Sequence, residues 1–256
     1  MKVFAKLTLF IALPVVMSGC GRKGTLIYPD MLVPEAPNAL EARQSGASVR
    51  LEFALPEKNR AGGVMPHISG IKISRRVIDA HEEVCRSCTT GYQLLRRLYV
   101  DSLPPYVQHR GSRLVLIDED VKSGFSYSYN LVPFMADGVE GAVAEIKNVV
   151  VEPPLAGPTV AVESTPTDIR VRITATESPA WQLVGYNIYR ITAEQAQRSF
   201  LPVNREPLSG GEYQDALVER DITYRYQVRM VMRGRDGHLV ETLPSSEVSG
   251  ALKEDE

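Results

Sequence analysis

Cysteine, tryptophan and net charge are all scarce in this chain, and each scarcity removes a class of protein. Three cysteines in 256 residues cannot build a dense disulfide framework. A chain of this length does not need one, because domains of about 100 residues already bury roughly two-thirds of their unfolded surface. A formal charge of −2 supplies no basic stripe to displace counterions from phosphates, so no nucleic-acid partner is expected. Charged residues at 23% beside hydrophobic residues at 44% give neither the charge excess of a disordered chain nor a collagen-like composition. No apolar run reaches the roughly 20 residues that cross a bilayer as a helix; Leu7 to Met17 is shorter and is broken by Pro14.

That run has its own meaning. Lys2 and Lys6 make a positive start, the apolar stretch follows, and the small residues Ser18 and Gly19 close it, which is the pattern of a removable signal peptide over residues 1–19. Its end, Met17-Ser18-Gly19-Cys20, resembles the bacterial lipobox. The resemblance implies that Cys20 is diacylated on sulfur, exposed by cleavage and then N-acylated. Several acyl chains, at about 0.8 kcal/mol per buried CH₂, hold a protein stably on a membrane. Gly21 replaces the Asp that keeps enterobacterial-type lipoproteins at the inner membrane, which implies an outer-membrane address facing the periplasm. With Cys20 carrying lipid, Cys85 and Cys88 are left as the only pair in the mature chain.

Beyond the anchor, Gly21 to Gly24 and the prolines Pro29, Pro34 and Pro37 read as an extended tether over residues 20–33. A second proline-rich stretch, Glu152-Pro153-Pro154-Leu155-Ala156-Gly157-Pro158, divides the remainder into domains at 34–152 and 153–252, before an acidic tail at 253–256. The two segments repeat each other. Asp118-Glu119-Asp120-Val121, Gly124 and Tyr127-Ser128-Tyr129-Asn130-Leu131 match Asp215-Ala216-Leu217-Val218, Asp221 and Tyr224-Arg225-Tyr226-Gln227-Val228 at an offset of 215 − 118 = 97. Upstream, Gly70 to Arg75 matches Gly185 to Arg190 at 185 − 70 = 115, so the first copy holds 115 − 97 = 18 extra residues between the blocks.

Alternation of period two marks these blocks as half-buried strands. Tyr224, Tyr226, Val228 and Met230 fall on one face and Arg225, Gln227 and Arg229 on the other; Tyr127, Tyr129 and Leu131 oppose Ser126, Ser128 and Asn130. Packing is expected on the first face and water on the second. Val49, Leu51 and Phe53, like Ile169, Val171 and Ile173, add an early strand to each copy. No helical period of comparable strength follows the signal peptide, and Ala193 to Ser199 reads as one turn in a loop.

The proline-rich opening, the Gly-Tyr-Asn-Ile-Tyr-Arg strand and the tyrosine-bearing strand resemble the fibronectin type III domain over nearly all of residues 34–252. The resemblance implies an all-β chain of two tandem immunoglobulin-like sandwiches. It also implies tyrosine corners at Tyr127 and Tyr224, where the hydroxyl bonds nearby backbone as the chain crosses between sheets. Phe53 and Ile173 stand in the early strands where the family carries tryptophan, and Trp181 lies in the following loop.

Groups that can carry chemistry are few. Cys85-Arg86-Ser87-Cys88 follows His81 in the extra segment of the first copy. A small disulfide-pinned loop, stabilising by about 2 kcal/mol in an oxidising compartment, is the expected reading. Thiol exchange lacks the helix start that activates such pairs, and a metal site lacks further ligands. Asp118 and Asp215 end strands before turns, where Asp bonds backbone amides. His67, His81, His109 and His238 accompany no nucleophile motif. The loop Tyr99 to Arg113, with Pro104-Pro105-Tyr106 and Arg110, mixes aromatic and basic groups suited to a glycan or peptide.

No catalytic residue, metal or cofactor is expected. The expected role is a membrane-anchored, non-catalytic binding or scaffold module whose partners are the membrane, through Cys20, and an envelope protein or glycan. Two alternatives stand beside it. Cys20-Gly21-Arg22-Lys23-Gly24-Thr25-Leu26 with Pro29 resembles the start of small lipoproteins associated with lipopolysaccharide transport, which implies an outer-membrane assembly role. The other is periplasmic thiol exchange or metal binding through Cys85 and Cys88.

Overall fold

The computed structural model describes residues 26, 28–65, 67–79 and 91–253. Cys20, His81, Cys85, Cys88 and the signal-peptide residues lie outside the described residues. Fifteen strands follow a 3-10 turn at Pro29–Met31: β1 (Asn38–Ser45), β2 (Ser48–Ala54), β3 (Gly70–Asp79), β4 (Gln93–Tyr99), β5 (Gln108–Arg110), β6 (Arg113–Asp118), β7 (Phe125–Phe134), β8 (Ala144–Val150), β9 (Thr159–Ser164), β10 (Ile169–Thr174), β11 (Gln182–Thr192), β12 (Glu212–Asp215), β13 (Tyr224–Arg233), β14 (Leu239–Glu241) and β15 (Val248–Gly250).

The first half stacks β1-β2-β6-β5 against β4-β3-β7-β8, and the second stacks β12-β10-β9 against β11-β13-β14, with β15 also on β13. These are two immunoglobulin-like β-sandwiches, each with its own core. Val49, Leu51 and Phe53 of β2 meet Ile71 and Ile73 of β3 and Tyr129 and Leu131 of β7 in the first. Ile169 and Val171 of β10 meet Ile188 of β11 and Tyr226 and Val228 of β13 in the second. Full burial of each such side chain contributes about 1.5–3 kcal/mol, so Phe53 and Ile173 fill their cores without a tryptophan. Trp181 packs on the edge of the second core, its ring against His238 at 5.1 Å.

The repeated glycines have a steric cause. A Cβ at Gly70 would lie 2.2 Å from the Leu98 carbonyl oxygen, and one at Gly185 would lie 2.6 Å from that of Leu208. Each marks where a neighbouring segment passes hard against the start of a long strand. That neighbour differs between copies. In the first it is β4, paired with β3 from Gly70↔Tyr99 to Arg75↔Gln93, built within the extra stretch that the sequence shows. In the second, Asn204 substitutes for part of a strand: its Oδ1 accepts from the Ile188 N–H at 2.8 Å and its Nδ2 donates to the Tyr186 carbonyl at 2.9 Å.

Two local expectations are modified. The alternation places Ser128 in water, yet it is only 3% exposed, because Tyr92 reaches that face from outside the strand, its hydroxyl donating to Glu145 at 2.6 Å. The tether is tied down before residue 33. The Ala61 N–H donates to the Met31 carbonyl at 2.9 Å and the Arg60 N–H to that of Val33 at 3.1 Å.

The sandwiches are not strung apart on a linker. Strand β14 of the second pairs in parallel with β1 of the first, at Ser45↔Glu241, so β11-β13-β14-β1-β2-β6-β5 is one continuous sheet.

Candidate functional site

Two kinds of polar assembly stand out, one duplicated in each sandwich and one at the seam between them. In the first sandwich, buried Asp118 at the end of β6 takes Arg75 Nη1 from β3 at 2.9 Å to both carboxylate oxygens and the Tyr129 hydroxyl from β7 at 2.9 Å. In the second, Asp215 takes Arg190 Nη1 at 2.8 and 2.7 Å and the Tyr226 hydroxyl at 2.9 Å. The next-but-one backbone amide completes each, Asp120 at 3.3 Å and Leu217 at 3.2 Å. The aspartates thus bond the turn amides that the sequence suggests, and they also clamp one sheet to the other. Burial opposes the Arg75 charge, but the carboxylates of Asp120 and Asp118 outweigh it and raise its pKa. Arg190 is raised in the same way, burial being outweighed by Asp215. Burial first, then the adjacent carboxylate, pushes the Tyr129 and Tyr226 hydroxyls well above the usual tyrosine range. These charges are paired and these hydroxyls stay protonated, so the assembly braces the fold.

Each guanidinium also lies over a second tyrosine, Arg75 over Tyr127 at 5.5 Å and Arg190 over Tyr224 at 5.2 Å. The Tyr127 hydroxyl accepts the Lys122 N–H at 2.7 Å, and that of Tyr224 accepts the Glu219 N–H at 3.1 Å. Both bonds close the turn that brings the chain from one sheet to the other.

The seam is the candidate site. Gly46, in the turn between β1 and β2, adopts φ +63°, and a Cβ there would meet Arg229 Nη1 of the second sandwich at 2.8 Å. The turn's positive φ favours glycine, while the Arg229 side-chain end can move aside. Its N–H donates to the Glu241 carbonyl at 2.9 Å. The Glu241 side chain is buried without an ion pair among the described residues. It accepts instead from the Ser45 hydroxyl at 2.6 Å, the Tyr189 hydroxyl at 2.7 Å and the Asn187 amide. Nearby, Gln44 binds the inter-sandwich segment, donating to the Glu152 carbonyl at 2.8 Å and accepting its N–H at 2.9 Å.

The far side of the seam uses the loop proposed from sequence as a contact surface. Gln108 accepts the Phe200 N–H at 2.7 Å and donates to the Arg198 carbonyl at 2.9 Å, while Gln197 donates to the Pro105 carbonyl. Part of the 99–113 loop is therefore held by the second sandwich, whereas Tyr106 remains exposed beneath Arg96. Beside Ser45 and Glu241 lies a cavity of about 220 Å³ lined from both sandwiches.

The remaining candidates do not converge. His67 lies 3.4 Å from Asp101, His238 contacts Asp236, and His109 sits in β5. Among the described residues no group of three or more His, Cys, Asp or Glu could hold a metal, and no helix is long and apolar enough to cross a membrane. Sequence reading missed the Arg75–Asp118 and Arg190–Asp215 pairs although both repeat blocks display them. It missed Glu241 for want of any local signal, since that side chain is explained only by strands far away in sequence.

No protein-family model matches the chain, and no curated protein matches it. Among solved structures, the chain is similar to the crystal structure of the chicken CNTN1 FN1-FN3 domains, at 16% identity and a TM-score of 0.31, over 87% of this chain and 69% of that one.

Proposed function

We propose that this chain is a lipid-anchored, non-catalytic scaffold of the bacterial envelope, held at Cys20 on the periplasmic face of the outer membrane. In this reading the two sandwiches present a fixed surface to an envelope protein or glycan. The lipobox residues Met17 to Cys20 support the anchor. The observation that carries the scaffold role is the parallel pairing of β1 with β14. Modules joined only by a linker reorient freely, whereas a shared sheet fixes the angle between their outer faces. Cys85 and Cys88 belong to this proposal as a disulfide that pins the extra segment.

Strand β4 is the natural recognition edge, since it pairs only with β3 among the named strands and exposes Leu94 and Tyr99. A photo-crosslinking residue at Leu94 in native envelopes should trap one discrete adduct, and the same residue at Leu217, exposed on the second sandwich, should not. Absence of any adduct from β4 would remove the scaffold reading. A fatty acid analogue should label the wild type but not Cys20→Ala, and equal labelling would remove the anchor. Protein isolated from the envelope should yield no free thiol at Cys85 or Cys88 by mass measurement.

A further inference from the structure

The cavity at the seam has a charge that the fold alone does not account for. Four arginines line it, Arg43, Arg50, Arg110 and Arg205, against one acid, Glu241, whose carboxylate is already occupied by three neutral donors. Arg43 is tied to Glu41 at 2.7 Å and Arg50 to Glu52 at 2.7 Å. Arg110 and Arg205 make no ion pair among the described residues.

Pro202, Pro207, Val231 and Leu239 also line the cavity and give it apolar surface. At about 220 Å³ the space holds the volume of roughly seven waters at about 30 Å³ each. It is smaller than the roughly 300–1,000 Å³ typical of drug-sized ligand sites. Guanidinium groups, apolar lining and this size together define a ligand. We propose that the seam binds a small anion of single-ring size, carrying a carboxylate or phosphate group. The acid group pairs with Arg110 and Arg205 and the ring lies on the prolines. Guanidinium suits both acids, because its planar donors match two oxygens at once. Arg110 comes from the first sandwich and Arg205 from the second, so the ligand bridges them and stabilises the joined form as its concentration rises.

Calorimetric titration of the purified mature protein with glucuronate, glucose 6-phosphate and benzoate tests this, with glucose as the neutral control and inorganic phosphate as the acid without a ring. At least one ring-bearing acid should bind and raise the thermal midpoint with concentration, while glucose does neither. The variant Arg110→Gln/Arg205→Gln should lose tenfold or more in affinity. Neither arginine makes an ion pair among the described residues, so the variant's unliganded midpoint should match the wild type. No binding of any ring-bearing acid at 10 mM, glucose binding as well as the acids, or undiminished binding by the variant would each overturn the proposal. Inorganic phosphate binding as tightly as the best ring-bearing acid would also overturn it, since the apolar lining would then have no role.

Discussion

Ser45 and Glu241 face one another across a parallel strand pairing, with the Ser45 hydroxyl donating to Glu241 Oε2 at 2.6 Å. The contact joins the first strand of one sandwich to the penultimate strand of the other, and with the Gly46 and Gln108 bonds it holds the two cores together. Removing the acceptor strands three donors: the hydroxyls of Ser45 and Tyr189 and the amide of Asn187.

Glu241→Ala should therefore cost about 2 kcal/mol or more, the penalty for buried donors without partners. Glu241→Gln keeps an acceptor and should cost less. Urea midpoints of the two variants compare these directly. Equal stability in Glu241→Ala and wild type would show that the seam contributes nothing to folding.

The Arg–Asp–Tyr clamp should behave as a buried ion pair. Asp118→Ala leaves the Arg75 guanidinium, 15% exposed, with the exposed Asp120 as its remaining carboxylate among the described residues, strands the Tyr129 hydroxyl, and should cost about 3 kcal/mol. Asp215→Ala should do the same in the second sandwich. Replacing the whole set, Arg75→Met with Asp118→Leu and Tyr129→Phe, should recover most of that loss. Chemical denaturation of the single and triple variants separates an unpaired charge from a lost contact, and a triple variant no better than Asp118→Ala would contradict this account.

Tyr127→Phe and Tyr224→Phe keep the ring under its arginine and remove only the hydroxyl that accepts the Lys122 or Glu219 N–H. Each should cost about 0.5–1.5 kcal/mol. Unchanged denaturation midpoints in both would mean that these turns close without the tyrosines.

Alkaline pH should destabilise the fold. Burial and a neighbouring carboxylate raise the pKa of Tyr129, Tyr189 and Tyr226 above that of an unfolded tyrosine, which is about 10. Groups raised in this way contribute stability that is complete below pH of about 10 and is lost as pH climbs toward the folded values. Stability measured at pH 8 and pH 11.5 should fall, and Tyr129→Phe should flatten the fall. A pH-independent value across that interval would contradict the assignment.

Much of each sandwich was legible from residues alone, because its information is local. The alternation in Tyr224 to Met230 lies in β13 with its apolar members buried, and the 97-residue offset aligns Asp118 with Asp215 in equivalent clamps. The solvated face failed at Ser128, where Tyr92 comes from outside the strand to cover it. The seam was illegible for a different reason. Ser45, Gln44 and Glu241 carry no pattern of their own, and the Ser45–Glu241 bond spans 196 residues. Of the seam arginines, Arg43 and Arg50 are partners in one hairpin, whereas Arg110 and Arg205 lie in separate segments of the two sandwiches.

The central claim, that the two sandwiches share one sheet, rests most directly on the Gly46 amide, which donates to the Glu241 carbonyl at 2.9 Å. Hydrogen exchange followed by nuclear magnetic resonance reads that bond alone. Gly111 is an internal reference, since it occupies a comparable turn at φ +62° and a Cβ there would meet nothing within 4 Å. The shared sheet predicts that Gly46 exchanges at least about a hundredfold more slowly than Gly111, in step with the buried amides of its sheet. Equal exchange at the two glycines would mean that the seam opens freely and that the chain is two independent sandwiches.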